Sequence, residues 1–378
     1  MRYFFILLLS YQSFSQWQPA TAVSVSMSID SLNAFDKDIA AGRYGNVDAL
    51  FVTRHGKLVF DKRYKNNYND IYGRQAKQKD GLNMLEYPSQ YNYYNSWWHP
   101  YYQRKDLHTL QSCTKTITSV IIGVAVSRKE FPDINTPVLN YFYTSKIKNI
   151  DERKRKMTIK HLLTMTAGID WDENVSYSDP RNDCTKMESI FDWVDYVINK
   201  PMAHDPGTVF RYNSGASQIL SYIFTRTTGK DIEEYAVQYL FKPLGIESHY
   251  WKRTPTGLAD TEGGLYLKTE DLAKIFYLFL KKGNWNGTQI VSEDWVKASV
   301  ASSIDISPTV QYGYKWWRFA YGKDNAKFVW AGSGFGGQVP IIIPEYDIVV
   351  VVNAWNIAGG RGLGTNEIVK RVLSAVNK

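Results

Sequence analysis

Two stretches of the chain carry the apolar patterning of strands, and they lie far apart. Leu50-Phe51-Val52-Thr53-Arg54 and Lys57-Leu58-Val59-Phe60 flank His55-Gly56, a short turn with glycine where positive φ is wanted, so a hairpin is predicted there. Val339 to Ile343 and Ile348 to Val352 are β-branched runs on either side of Pro344-Glu345-Tyr346-Asp347 and predict a second hairpin. Between them, helices are expected over Thr116–Arg128, Thr158–Thr166, Asp192–Ile198, Ser217–Thr225, Ile232–Leu240 and Glu270–Leu280, with a closing helix over Ile368–Val376. Strands at both ends with helices between them imply an α+β fold. One lobe is an antiparallel sheet flanked by helices, built from about 47–110 and 300–378; the other is an inserted all-helical lobe of about 111–299. A pocket is expected at the seam between the two. Residues 16–46 read as an N-terminal segment ahead of this 47–378 domain.

The first residues have a different pattern. Met1-Arg2 followed by Tyr3-Phe4-Phe5-Ile6-Leu7-Leu8-Leu9 has the positive start and short apolar core of a secretory signal, with Ser13-Phe14-Ser15 as the small residues ahead of a cut before Gln16. The apolar core is shorter than the roughly 20 residues a bilayer needs, so a periplasmic or secreted protein without a stable membrane anchor is expected. Among the 378 residues only Cys113 and Cys184 are cysteines. They read as a free pair, with a bridge as the alternative that an oxidising compartment permits. The formal charge of +8 is dispersed, so nucleic acid is not expected as a partner. The dense run Arg153-Lys154-Arg155-Lys156 follows Asp151-Glu152 and reads as a solvated loop or helix start.

The chemistry begins at Ser112-Cys113-Thr114-Lys115, which heads the apolar run Ile117 to Val126. Serine and lysine three apart on a helix project from one face. A lysine held against an apolar helix loses hydration, which disfavours its charged form, and a neutral amine can take the proton of a neighbouring hydroxyl. A second match, Ser145-Lys146-Ile147-Lys148, lies in charged surroundings and reads as a solvated loop. Two further segments accompany the first: Phe210-Arg211-Tyr212-Asn213-Ser214-Gly215, and Trp330-Ala331-Gly332-Ser333-Gly334-Phe335-Gly336-Gly337-Gln338 ahead of a strand. Gly332, Gly334 and Gly337 satisfy the dinucleotide fingerprint, but that fingerprint requires a helix next and a strand follows. The six histidines show no metal-ligand spacing, so neither a metal nor a cofactor is expected; His161 and His204 read as structural or surface residues. Asp179-Pro180-Arg181-Asn182-Asp183 reads as a loop spent on its own turn hydrogen bonds. Tyr91, Tyr93, Tyr94, Trp97, Trp98, Tyr101 and Tyr102, with Tyr87, form an aromatic stretch. It reads as an insertion packed on the sheet edge, with a stacking platform for substrate as the alternative.

The three motifs occur in the order S-x-x-K, then Y-x-N or S-x-N, then K-T-G. In this the chain resembles the class C β-lactamase-like, penicillin-binding-protein-like serine hydrolases. Further likeness lies in Thr158-Ile159-Lys160-His161-Leu162-Leu163-Thr164-Met165-Thr166-Ala167-Gly168 and in Gly263-Gly264-Leu265 ahead of Glu270-Asp271-Leu272-Ala273. Tyr-Asn-Ser-Gly and Gly-Phe-Gly-Gly-Gln are most similar to the 6-aminohexanoate-dimer hydrolase and family VIII esterase branch. The resemblance implies a β-lactamase/transpeptidase-like fold and an acyl-enzyme on Ser112, with Lys115 and Tyr212 sharing the proton work. It implies an oxyanion hole from the amides of Ser112 and Phe335, and substrate-binding positions at Ser214, Gly332, Ser333 and Gly334.

Two departures bear on substrate. Ser214 stands where Y-x-N has asparagine, and Gly332 where K-T-G has lysine. The lost charge would grip the carboxylate of a penicillin or a D-alanyl peptide. The expected substrate is therefore a small ester or amide; a D-alanyl-D-alanine carboxypeptidase or β-lactamase is the alternative, and Arg361 is a candidate for a compensating charge. A non-catalytic ligand-binding or sensor protein on the same fold is the reading from another class. It has no use for a desolvated lysine beside a serine. The sequence sets no oligomeric state.

Overall fold

The computed structural model describes residues 17–83, 90–359 and 362–377. The leader expected at 1–15, Tyr87 and Arg361 lie outside the described residues. Nine strands form one sheet in the order Gln18–Pro19, Lys57–Arg63, Val47–Arg54, Ile348–Ala354, Val339–Ile343, Lys327–Ala331, Trp317–Tyr321, Val310–Tyr312 and Ile304–Ser307. Every neighbouring pair is antiparallel except Gln18–Pro19 against Lys57–Arg63. Both predicted hairpins form, and the second strand of the later one pairs with the first strand of the earlier one at the sheet's centre. At the first turn His55 and Gly56 both have positive φ, 53° and 72°. A Cβ on Gly56 would also press on the Tyr277 hydroxyl, so that side chain would have to shift.

Ile348–Ala354 is buried along its whole length, and its period-2 pattern divides it between two cores. Val349 and Val351 join Phe51 and Ile342 in the larger core, which continues through the helices. Ile348, Val350 and Val352 join Leu50 and Val52 beneath the helices Ile29–Ala40 and Thr365–Leu373. The helix Ile29–Ala40 is not anticipated by the reading of 16–46, although Leu32, Phe35 and Ile39 have helical spacing and Ser28 caps it by accepting from Ser31 N. The helix Thr269–Leu280 falls by number within the stretch assigned to the helical lobe, yet it packs directly on three central strands of the sheet. The remaining helices extend the larger core, with Cys113–Ser127 at its centre, buried from Cys113 to Ala125.

One surface expectation fails. The run 153–156 does form a short helix, Glu152–Lys156, but Lys154 is buried, donating to Ile198 O at 2.8 Å and Lys200 O at 2.6 Å. Burial brings its pKa down to about 8. A charge run read one-dimensionally looks solvated; only the approach of the 198–200 backbone decides otherwise. Tyr91, Tyr93 and Tyr94 are buried, and Tyr102 stacks on Tyr250 with centroids 3.8 Å apart, as an inserted packing element requires. Among the described residues no helix is long and apolar enough to cross a membrane.

Candidate active site

Ser112 sits just ahead of the buried helix Cys113–Ser127, after Gln111, whose φ of 46° places a non-glycine residue in the left-handed region. Such strain persists only where the surroundings impose it. Lys115 Nζ lies 2.9 Å from Ser112 Oγ, and its two other protons go to Glu262, 2.7 Å from the backbone O and 3.2 Å from Oε2. The ammonium also stands 5.2 Å from the centre of the Tyr212 ring. Tyr212 is placed by the loop that enters the helix Ser214–Thr228, where Asn213 caps by accepting from Ala216 N at 2.9 Å. Ser112, Tyr212, Ser333 and Phe335 are all partly exposed.

The third motif meets the first backbone to backbone. Cys113 Sγ donates to Gln338 O at 3.2 Å, and a Cβ on Gly334 would lie 2.5 Å from Leu110 O. Only glycine admits that approach. The amides of Gly332 and Gly334 are spent on Pro340 O and Gln338 O, at 3.0 and 2.9 Å. Among the described residues, the amides of Ser112 and Phe335 donate no hydrogen bond. Gly332 does not face open space: its Cβ position lies 3.1 Å from Cys113 Sγ, 3.1 Å from Pro340 Cγ and 3.4 Å from Phe276 Cζ. Ser214 departs from its expected role. It is buried, and its hydroxyl and amide are committed to Glu173, at 2.7 and 2.8 Å. It therefore supports the site from behind rather than presenting a free hydroxyl to a substrate.

The electrostatics correct the expected state of Lys115. Burial favours the neutral amine, but Tyr212, Glu262 and Glu173 outweigh it and hold Lys115 well above its ordinary value. Burial pushes the Tyr212 phenol up to about 12, with Lys115 opposing. The resting pair is thus ammonium and phenol. A second buried lysine, Lys315, has the opposite character: among the described residues its Nζ hydrogen-bonds only to the Met165 thioether, at 3.3 Å, and burial and Lys115 hold it well below the usual lysine range.

Sequence reasoning missed Glu173, Glu262 and Lys315. Glu262 immediately precedes the Gly263-Gly264-Leu265 stretch, but no spacing rule links it to Lys115, 147 residues away. Glu173 accepts from Ser214, Trp171 Nε1 and Tyr177 OH. Tyr177 also packs on Phe335 with ring centroids 4.9 Å apart.

Cys184, Glu188 and Glu262 bring possible metal-ligand atoms within 4.8 Å of one another. The set suits a cation poorly. Lys115 already lies on Glu262 and Lys252 on Asp260, 3.6 Å away, while burial holds the Cys184 thiol and the Glu188 carboxyl in their protonated forms. His161 takes part in a helix cap with Thr158, and Arg181 and Asn182 are spent on local turn and cap bonds, as expected. A cavity of about 750 Å³ lined by Arg63, Tyr68, Tyr101 and Arg104 lies elsewhere, and neither Ser112 nor Lys115 lines it.

The sheet, its flanking helices and the serine–lysine pair at the head of a buried helix define a β-lactamase/transpeptidase-like hydrolase. The Beta-lactamase family profile matches residues 36–364, and the chain belongs to that family of serine hydrolases. A 6-aminohexanoate-dimer hydrolase from Paenarthrobacter ureafaciens is 24% identical over 272 residues, 66% of this chain and 67% of the relative. Among solved structures, EstCE1, a hydrolase with promiscuous acyltransferase activity, aligns with a TM-score of 0.64 at 12% identity, covering 94% of this chain and 97% of its own. A D-stereospecific amidohydrolase from Streptomyces sp. aligns with a TM-score of 0.62 at 14% identity, covering 91% and 98%. At those identities the two structures speak to the fold alone.

Proposed function

We propose that the protein is an exported hydrolase that cleaves an ester or amide bond through an acyl-enzyme on Ser112, with Lys115 and Tyr212 as its proton-transfer pair. The observation that carries this is the 2.9 Å contact between Lys115 Nζ and Ser112 Oγ at the mouth of a partly exposed site. Acylation starts from the form of the pair that has given one proton to solvent: Ser112 Oγ bonds to the carbonyl carbon and its proton passes to the pair, refilling it. The pair then protonates the leaving alcohol or amine as the tetrahedral intermediate collapses. Water repeats the sequence on the acyl-enzyme and releases the acid. Lys115 and Tyr212 interact closely enough that their titration belongs to the pair rather than to either residue. The amides of Ser112 and Phe335 would receive the oxyanion, each worth about 3 kcal/mol of transition-state stabilisation.

The site offers no lysine at position 332, and the packing around that glycine leaves little room for one. This favours neutral short-chain esters and small amides over β-lactams and D-alanyl peptides. A fluorophosphonate probe read by intact mass and peptide mapping tests the assignment. Wild type should label once, at Ser112, and Ser112→Ala should lose both labelling and nitrophenyl-ester turnover. Labelling that survives in Ser112→Ala, or a folded wild type that never labels, refutes it. Export is tested in the same spectrum: secreted protein should begin at Gln16.

A further inference from the structure

Lys115 is held by more than the serine it serves. Its ammonium has three protons, and Glu262 takes two of them, one on the backbone O at 2.7 Å and one on Oε2 at 3.2 Å. Lys115 and Glu262 are both buried, at 1% and 6% side-chain exposure. The backbone contact alone would orient the lysine; the carboxylate adds a buried charge directly beneath the proton-transfer pair. Glu262 is in turn enclosed by charged and titratable groups from every side. Lys115 comes from the nucleophile helix, Glu188 and Cys184 from the helix Asp183–Glu188, and Lys252 and Asp260 from the segment that precedes Glu262 itself. The Asp260 carboxylate accepts from the amides of Glu262 and Gly263, at 3.1 and 3.0 Å. Tyr93 of the aromatic insertion donates its hydroxyl to Glu188.

We infer that Glu262 is a positioning residue: its carboxylate, backed by Glu188, locks Lys115 against Ser112 and sets how many protons the Lys115–Tyr212 pair carries at a given pH. The inference rests on the reading of Ser112 as nucleophile. Charge balance supports it. Two lysines, Lys115 and Lys252, face three buried carboxyl groups, Glu262, Asp260 and Glu188, so one proton is needed for neutrality within that cluster. Glu173, half-buried, also acts on the pair and on Glu262 and is the same in every variant below. That proton belongs on Glu188, which burial and Glu262 push well up, whereas Lys115 and Lys252 outweigh burial at Glu262 and leave it below its usual value. The anion next to Lys115 is then Glu262, and it opposes loss of a proton from either member of the pair.

The sign of the test follows. In Glu262→Gln the opposing anion is gone, the pair gives up its protons more readily, and the rising limb of the kcat/KM–pH profile for 4-nitrophenyl acetate moves to lower pH by about one unit or more, read as at least about tenfold higher kcat/KM at a given pH between about 6 and 9. Glu262→Asp keeps the charge and should hold the profile close to wild type. Glu188→Gln replaces an acid donor by an amide donor without changing the charge count, and should also leave the profile in place. Glu262→Ala, with its thermal melt measured alongside, gives the same acidward shift if the glutamine variant does not fold. A profile that keeps its position in both Glu262→Gln and Glu262→Ala while only its height drops overturns the inference, as does a shift in Glu188→Gln equal to that of Glu262→Gln. Fluorophosphonate labelling of each variant separates the two readings: an unlabelled but folded wild type refutes the nucleophile, whereas labelled variants with unshifted profiles refute only the role of Glu262.

Discussion

Replacing Tyr212 by phenylalanine removes one hydroxyl and leaves the packing. The ring stacks on Trp317, with centroids 6.0 Å apart and planes 23° from parallel, and faces the Lys115 ammonium at 5.2 Å. A phenyl ring keeps both contacts, and the partners of the lost hydroxyl, Ser112 and Lys115, still hold each other at 2.9 Å. The expected loss of stability is therefore within about 1 kcal/mol, a shift of no more than about 4 °C in Tm. The expected loss of activity is far larger. A positioned acid–base group contributes about 10²–10⁴ in rate, and at 1.36 kcal/mol per tenfold this is about 2.7–5.5 kcal/mol of barrier. The measurement pairs kcat/KM on a nitrophenyl ester with the rate of fluorophosphonate labelling at Ser112 and a thermal melt. Both rates should fall together at nearly unchanged Tm. A Tyr212→Phe enzyme within threefold of wild type in kcat/KM, with a normal melt, would show that the proton of Ser112 does not pass through the pair, and the mechanism above would be wrong.

The pair is fully protonated at neutral pH, since burial takes Tyr212 to about 12 and acidic neighbours hold Lys115 well above its ordinary value. Acylation needs one proton fewer, so wild-type kcat/KM should climb about tenfold per unit from pH 6 to 9; a plateau across that range contradicts the assignment. Gly334→Ala puts a Cβ 2.5 Å from Leu110 O and from Gln338 Oε1, which displaces the turn carrying the Phe335 amide. It should cost about 1–3 kcal/mol of stability and slow labelling at least as much as loss of one oxyanion donor, about a hundredfold; unchanged labelling would remove that amide from the mechanism. Substrate choice is read by comparing kcat/KM for a neutral short-chain ester or an aminohexanoate-type amide with that for nitrocefin. A missing charge-assisted bond to the carboxylate is worth about 1.5–3 kcal/mol, so the neutral substrates should lead by about tenfold to a hundredfold. If nitrocefin or a D-alanyl-D-alanine peptide leads, the β-lactamase or carboxypeptidase reading takes over.

Whatever depends on neighbours in the chain was legible in the sequence. Period-2 apolar runs marked both hairpins, turn residues at 55–56 and 344–347 marked their connections, and the serine–lysine spacing at the head of an apolar run marked the centre of the site, because each signal lies within a few residues. The boundaries moved by a few positions: the helix after Ser112 begins at Cys113 rather than Thr116, and the helix after Tyr212 at Ser214 rather than Ser217. The charge state of the site was not legible. Desolvation, which the sequence does reveal, argues for a neutral Lys115. The opposing anions come from Glu173 and Glu262, which no local pattern links to it, and electrostatic energy in a buried site depends on distances of a few ångströms that only the fold creates. Lys154 repeats the point in reverse, a surface charge by pattern and a buried donor to three carbonyls in fact. The same holds for Ser214, spent on Glu173, and for Gly332, pressed against Cys113, Pro340 and Phe276. Sequence patterning determined which segments become strands and helices and which serine–lysine pair is the candidate site; tertiary packing decided which charges face one another, because only packing removes the water that would otherwise screen them.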